Sequence, residues 1–546
     1  MVDVLLISIG FDNNERYRIY SLSLGVLKAS ILHHFPNLSV HTIDAYDEKM
    51  SESEIIDTVI GFNPHIVGFS STTFYYEQTN RIFGEIDRRN PFIWRILGGY
   101  ISLLDDCLKI TNADIVVRGE GDFTIVDLCK LLFKINGSKS EEKGTKDKIR
   151  RIDKKEIPNW KLESIQGIYY RWPFKSDEYQ IRFTGHRPLI EDLDVLPTPN
   201  FDDVMQYVSS EEFAFALYCQ RGCYNNCSFC DILHFYGKVG IRSMSPKRII
   251  EHMKILREKY DAREFSFVDD NFMSSKPFLE SFISEFERSG LIGKVVIDFQ
   301  SRANDIIRYR DLLERMVPFV SGIQIGIESF VDSQLKRYNK HVSAEQNMQA
   351  LQILSDLRIS YLAYYILLDP HVTLEEIEEN IEKLKKAPPV PVKKHKFLLP
   401  HLIAQTEFES ELDLQGKMRI ARIPHLEAFN EFLEQTEDKM KEIEKIYQSL
   451  KIAEVYNTSE TLANSIALSS AKLFYTIAEQ IAEARLDSAL ELCEKIYYKR
   501  FFKKKYKRAV EKQIKAFNAQ IESLLRVIRL TGLPVEEILG LIENEE

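Results

Sequence analysis

Three cysteines in the run Arg221-Gly-Cys-Tyr-Asn-Asn-Cys-Ser-Phe-Cys230 constrain this chain more than any other feature. Cys223, Cys227 and Cys230 follow a Cys-x3-Cys-x2-Cys spacing. Three thiolates crowded this closely can share one metal centre. They fall one short of a closed four-ligand site. A structural zinc site needs a fourth Cys or His at a recurring offset. Only Cys219 and His234 lie near, and neither completes the paired Cys-x2-Cys of a ribbon or finger. A cubane iron–sulfur cluster on three cysteines instead leaves one iron open for a further ligand. On spacing alone a zinc knuckle is the bland alternative. The triplet follows Phe213-Ala-Phe-Ala-Leu-Tyr218, which reads as a strand.

This stretch resembles the radical S-adenosylmethionine (SAM) superfamily, in which the same triplet binds a 4Fe-4S cluster. Phe229, just before the last cysteine, matches the aromatic residue common there. The resemblance implies that Cys223, Cys227 and Cys230 are the cluster ligands and that the open iron chelates SAM. One electron from the cluster then cleaves SAM to a 5′-deoxyadenosyl radical.

The remaining composition sets bounds. The chain has 546 residues, which suggests about three or four domains. Its seven cysteines are an odd number with no secretory signal, so a reducing, cytoplasmic setting is expected. Cys107, Cys129 and Cys493 sit in apolar or helical contexts and read as small buried hydrophobes. No run approaches the roughly 18 apolar residues of a spanning helix, so no membrane partner is expected. A net charge of −10 argues against broad nucleic-acid binding.

Residues 1–135 alternate strand and helix patterns, predicting an α/β fold with a doubly wound parallel sheet. Ligands of such sheets bind beyond the carboxyl ends of the strands. Ser70-Ser71, Gly98-Gly99 and Gly119-Glu120-Gly121 fall there, as glycines for close backbone approach and hydroxyls for hydrogen bonds. The order of this domain before the cysteine triplet resembles the cobalamin-binding class of radical SAM enzymes. Leu24-Gly25, Gly68-Phe-Ser-Ser71, Leu97-Gly-Gly99 and Arg118-Gly-Glu-Gly-Asp122 fall at that class's landmarks. No Asp-x-His-x-x-Gly motif offers a histidine to cobalt, so the resemblance implies base-off cobalamin without a protein histidine. A domain that has lost its ligand is the alternative. Residues 136–205 are expected as a linker, containing the polar run 136–148 and connector-like segments Ile165–Arg171 and Leu189–Pro199.

Residues 206–400 alternate again and predict a partial β/α barrel, the radical SAM core. Polar groups at its strand ends are expected to face cluster and substrate, as at a barrel's carboxyl face. Asp269 and Asp270 close one strand and are candidate catalytic acids, with an N-cap role as the plain reading of one of them. Arg302 ends the next strand and could pair with the SAM carboxylate or with an acid. Glu328 and Ser329, in Gly-Ile-Glu-Ser, resemble the segment beside the methionine part of SAM, where a carboxylate could hold its ammonium.

Residues 401–546 carry long amphipathic stretches and predict a helical C-terminal domain. Its basic, aromatic run Tyr497–Arg508 could grip an anion, but reads more simply as one solvated and one buried helix face. The resemblance leaves two enzymatic readings. One is cobalamin-dependent methylation of an unactivated carbon in a natural-product or modified-peptide substrate. The other is ring contraction, cyclisation or dehydration without methyl transfer. A non-enzymatic cluster sensor is a distant third. A small-molecule or peptide substrate and an electron donor such as flavodoxin or ferredoxin are the implied partners.

Overall fold

The computed structural model describes residues 2–398 and 510–519, except 10–20, 46–47, 73–74, 105–106, 135–149, 173–178, 209, 211–212, 367–368, 370 and 389–392. These residues form two compact units. The first includes everything described up to Glu328 together with Leu335–Tyr365, and the second includes Ser329–Gln334 and Ile366–Ala387.

The first unit contains two sheets. The amino-terminal one has the order of a doubly wound fold. Its strands are β1 (Val4–Ile9), β2 (Val40–Asp44), β3 (Ile66–Ser71), β4 (Trp94–Gly98) and β5 (Ile115–Val117). They lie in the order β2-β1-β3-β4-β5, all parallel. Every residue of β1 and β3 is buried. Such continuous apolar runs are what a sheet covered on both faces requires. The helix Glu52–Phe62 begins at a capping box between Ser51 and Glu54 and ends on left-handed Asn63.

Two more strands complete this sheet, and both come from the segment expected as a linker. Ile168–Trp172 pairs antiparallel with β5, and Gln180–Phe183 pairs antiparallel with it in turn. Ile168–Trp172 is only partly buried, and no residue of Gln180–Phe183 is fully buried. Their apolar signal is correspondingly weaker than that of β1 or β3. Further along, Asp203 accepts bonds from Lys28 Nζ (2.6 Å), the Thr42 backbone N–H (2.8 Å) and its hydroxyl (2.6 Å). Asn200 N–H donates to the Gly25 carbonyl at 3.0 Å, so the connector seats on the first helix where a Cβ would crowd it.

The second sheet has six strands in chain order: Ala214–Leu217, Glu264–Phe267, Val296–Arg302, Val320–Glu328, Tyr361–Ile366 and Lys393–Leu398. The first five pair in parallel. Helices Pro246–Tyr260, Lys276–Arg288 and Ala344–Asp356 alternate with them, which is the expected partial β/α barrel. An aromatic core of Phe267, Phe272, Phe282 and Phe299 lies beneath the ends of its second and third strands.

In the second unit, Asn380, Gln334 and Ser329 form a buried hydrogen-bonded group. The expected C-terminal helical domain lies outside the described residues except for 510–519, which are helical. The run Tyr497–Arg508 also lies outside them. No described helix is long and apolar enough to cross a membrane.

Candidate cluster site and adjoining loops

The cysteine loop leaves the barrel's first strand and is closed at its base by a two-residue ladder, Gln220–Arg221 against Arg242–Ser243. Gly222 follows at φ +91°, where an added Cβ would strike the Gly240 carbonyl, so only glycine fits. Gly240 N–H closes the turn onto the Cys223 carbonyl at 2.9 Å. Ser228 fixes the far side, donating from its N–H to the Tyr338 carbonyl (3.0 Å) and from its hydroxyl to the Arg337 carbonyl (2.9 Å). Phe229 packs edge-on against Tyr338.

Two of the expected ligand sulfurs have a side-chain N–H donor: Asn225 Nδ2 lies 3.7 Å from Cys223 Sγ and Arg302 Nη1 lies 3.3 Å from Cys227 Sγ. Sulfurs that accept hydrogen bonds are what an iron–sulfur centre needs, since such bonds hold thiolates and set potential. Among the described residues no three Cys, His, Asp or Glu side chains gather around a single ion. Cys219 is fully buried and its thiol is pushed well above the ordinary range by that burial.

The two expected catalytic acids hold the start of this loop. Asp269 Oδ1 accepts from the Cys219 N–H at 2.7 Å, and Asp270 Oδ2 accepts from the Gly222 N–H at 2.8 Å. Burial raises Asp269 to about 8 against the lowering effect of the Cys219 and Gln220 N–H groups. Burial likewise raises Asp270 to about 6, opposed by Gly222, Arg221 and Arg242. Asp269 Oδ2 is buried with no hydrogen-bond partner among the described residues.

Arg302 and Glu328 also have protein partners. Arg302, expected at the SAM carboxylate or an acid, donates to Cys227 Sγ and to the Lys340 carbonyl. Glu328, expected at the SAM ammonium, accepts from Lys340 Nζ at 2.8 Å and sits at φ +63°. Gly326 makes room, because a Cβ there would meet both Glu328 Oε1 and Lys340 Nζ within 3.0 Å. Lys340 Nζ lies 5.7 Å from the Phe229 ring centre. Ser329 belongs to the second unit, where its hydroxyl donates toward Gln334 and Asn380.

The expected residues of the amino-terminal sheet meet at the carboxyl ends of β3, β4 and β5. Ser70 pairs in register with Gly98 and accepts from the Ser23 hydroxyl at 3.0 Å. Gly99, at φ +89°, lies so close to Ser71 that a Cβ would be 2.6 Å from its carbonyl oxygen. A Cβ on Gly98 would meet only Val117 Cβ at 3.9 Å, and one on Gly119 nothing within 4 Å. The Ser8, Thr72 and Ser102 hydroxyls are buried along this edge with no partner among the described residues. Such an edge suits a ligand rich in hydrogen-bonding groups.

Glu120, expected at a cofactor, has its carboxylate held elsewhere. It accepts from Arg221 Nη1 (2.9 Å), Arg242 Nη1 (2.9 Å) and the Ile190 N–H (2.8 Å). Asp122 binds Arg221 with both oxygens, at 2.9 and 3.0 Å. All four side chains are buried. Arg221, Arg242, Asp122 and Lys340 were missed as site residues from sequence. Arg221 and Asp122 stood inside the quoted motifs, but nothing in either motif shows that they meet across 99 positions.

Residues 217–384 match the family model of the Radical SAM superfamily. This chain carries a radical SAM domain. The chain is 26% identical over 357 residues to an uncharacterized methyltransferase of Pyrococcus horikoshii, covering 64% of this chain and 70% of that protein. It is 27% identical to the anaerobic magnesium-protoporphyrin IX monomethyl ester cyclase of Rubrivivax gelatinosus, covering 62% of this chain and 57% of the relative. It is also 24% identical to the 4'-phospho-dehydrooxetanocin synthase of Priestia megaterium, covering 65% and 50%. Among solved structures, the cobalamin-dependent S-adenosylmethionine radical enzyme OxsB with aqua-cobalamin and S-adenosylmethionine bound superposes with a TM-score of 0.67 at 17% identity. That alignment covers 100% of this chain and 80% of OxsB. The radical S-adenosylmethionine methyltransferase TsrM of Kitasatospora setae, with cobalamin and a [4Fe-4S] cluster bound, gives 0.54 at 12% identity, covering 73% of this chain and 75% of TsrM. These likenesses of fold take in the amino-terminal sheet as well as the barrel.

Proposed function

We propose that this radical SAM protein is a cobalamin-dependent methyltransferase acting on an unactivated carbon of a natural-product or modified-peptide substrate. Cys223, Cys227 and Cys230 would hold the 4Fe-4S cluster. The edge formed by Ser70, Ser71, Gly98, Gly99, Gly119 and Gly121 would hold cobalamin. When bound, the cluster with SAM supplies a hydrogen-abstracting radical and cobalamin supplies a methyl group. The protein's task is to aim the two centres at one substrate atom. The observation that carries the proposal is the buried Glu120–Asp122–Arg221–Arg242 group. It ties the loop after β5 to the base of the cysteine loop, so the two candidate cofactor edges share one rigid support. Asp269 and Asp270 anchor the same loop from the barrel side. A flavodoxin- or ferredoxin-type protein would deliver the electron.

A second reading has its own support. Two matched relatives are named a cyclase and a dehydrooxetanocin synthase rather than methyltransferases. Ring formation or contraction without methyl transfer is therefore retained as the competitor. Anaerobic purification with hydroxocobalamin, iron and SAM separates the readings. The methyltransferase should retain cobalamin and form S-adenosylhomocysteine and 5′-deoxyadenosine, with labelled methyl passing from SAM to product. A retained cluster with 5′-deoxyadenosine but an unmethylated, rearranged product would overturn methylation.

A further inference from the structure

The buried arginines Arg221, Arg242 and Arg95 are each neutralised by a carboxylate. Arg221 has Asp122 and Glu120, Arg242 has Glu120, and deeper in the sheet Arg95 has Asp114. Arg302 is as buried as these, at 6% exposure, yet no carboxylate pairs with it among the described residues. Its guanidinium points one N–H at Cys227 Sγ, 3.3 Å away, and another at the Lys340 carbonyl. A buried cation without a counter-charge is costly, and the sulfur of Cys227 is the group within hydrogen-bond reach that could carry one as a cluster ligand. The nearby cation Lys340 is already matched to Glu328. Asn225, the side-chain donor to Cys223, is neutral.

We propose that Arg302 sets the reduction potential of the cluster through Cys227, rather than gripping the SAM carboxylate. The proposal rests on the cluster reading above. Reduction brings in one electron from the donor protein, or from dithionite in a test, with no bond made or broken. The cluster becomes one unit more negative. A fixed cation and hydrogen bond at a ligand sulfur stabilise that form and raise the potential. Arg302 thereby makes the cluster reducible by a biological donor.

The test is a redox titration of the reconstituted full chain, followed by paramagnetic resonance of the reduced cluster, without substrate. Arg302→Gln should load iron and shift the midpoint to lower potential. Arg302→Lys should fall between it and the wild type, because charge returns without the planar donor fork. SAM affinity, measured separately, should change less than threefold in either variant. Should Arg302→Gln load iron poorly, the lysine variant decides alone. A loaded variant with wild-type potential and a tenfold or greater loss of SAM affinity overturns the proposal and restores Arg302 to SAM. Wild-type protein that takes up no iron sinks the cluster reading itself, a result distinct from either.

Discussion

Arg221 and Asp122 form a two-bond ion pair, at 2.9 and 3.0 Å, between the base of the cysteine loop and the loop that follows β5. Burial works against the charged form of Asp122, but the attraction of Arg221 prevails and holds its carboxyl below the usual range. Without Asp122, Glu120 alone would have to balance both buried arginines, Arg221 and Arg242. Asp122→Ala should therefore cost about 3–5 kcal/mol of stability. Chemical denaturation checks this, and iron loading should fall in parallel because Arg221 adjoins Gly222 and Cys223. Unchanged stability and iron would show that the pair is not a support.

The cysteines should divide sharply. Replacing Cys223, Cys227 or Cys230 with Ala should remove most of the roughly four irons per chain expected of one cubane and abolish SAM cleavage. Cys219→Ala should keep the iron, since that thiol is buried and Cys219 is tied through its backbone, its N–H donating to Asp269 and its carbonyl accepting from the Met244 N–H. Iron analysis after anaerobic reconstitution decides it. A variant lacking all three ligands that still loads fully would end the cluster assignment.

Neighbouring glycines should respond differently. Gly99→Ala forces a Cβ against the Ser71 carbonyl at a φ of +89°, and should destabilise the sheet by about 1–3 kcal/mol. Gly98→Ala meets nothing closer than 3.9 Å and should leave folding unchanged. A larger residue at Gly98 that lowers cobalamin retention in a stably folded protein would place the ligand against that backbone. Full retention would move it away.

Acid should remove the stability contributed by two buried neutral histidines. His65 and His252 are both lowered to about 4, chiefly because burial penalises the charged ring. The unfolded chain binds these protons near pH 6.5, the folded chain only near 4. Their contribution is complete above pH 6.5 and declines as pH falls toward 4, by on the order of 2–3 kcal/mol each. Melting temperature against pH should show this slope, and His252→Gln should flatten it. A His252→Gln protein whose melting temperature falls with pH as steeply as the wild type's would contradict it.

The sequence by itself determined what repeats locally or binds through near neighbours. The spacing of Cys223, Cys227 and Cys230 pointed to a three-ligand centre. The apolar runs of β1 and β3 announced a sheet buried on both faces. Tertiary structure decided the rest, because it depends on residues far apart in the chain. Asp269 and Asp270 read as catalytic acids at a strand end, until folding brought the Cys219 and Gly222 N–H groups against them. Glu120 read as a cofactor contact, until Arg221 and Arg242 arrived from more than 100 residues away. Ile168–Trp172 read as a connector, because a strand at the side of a sheet is only partly buried and carries little apolar pattern. Arg302 read as a partner for SAM, and only the fold set its guanidinium on the sulfur of Cys227. A buried charge takes its role from whatever counter-charge the fold places beside it, and that pairing has no local signature.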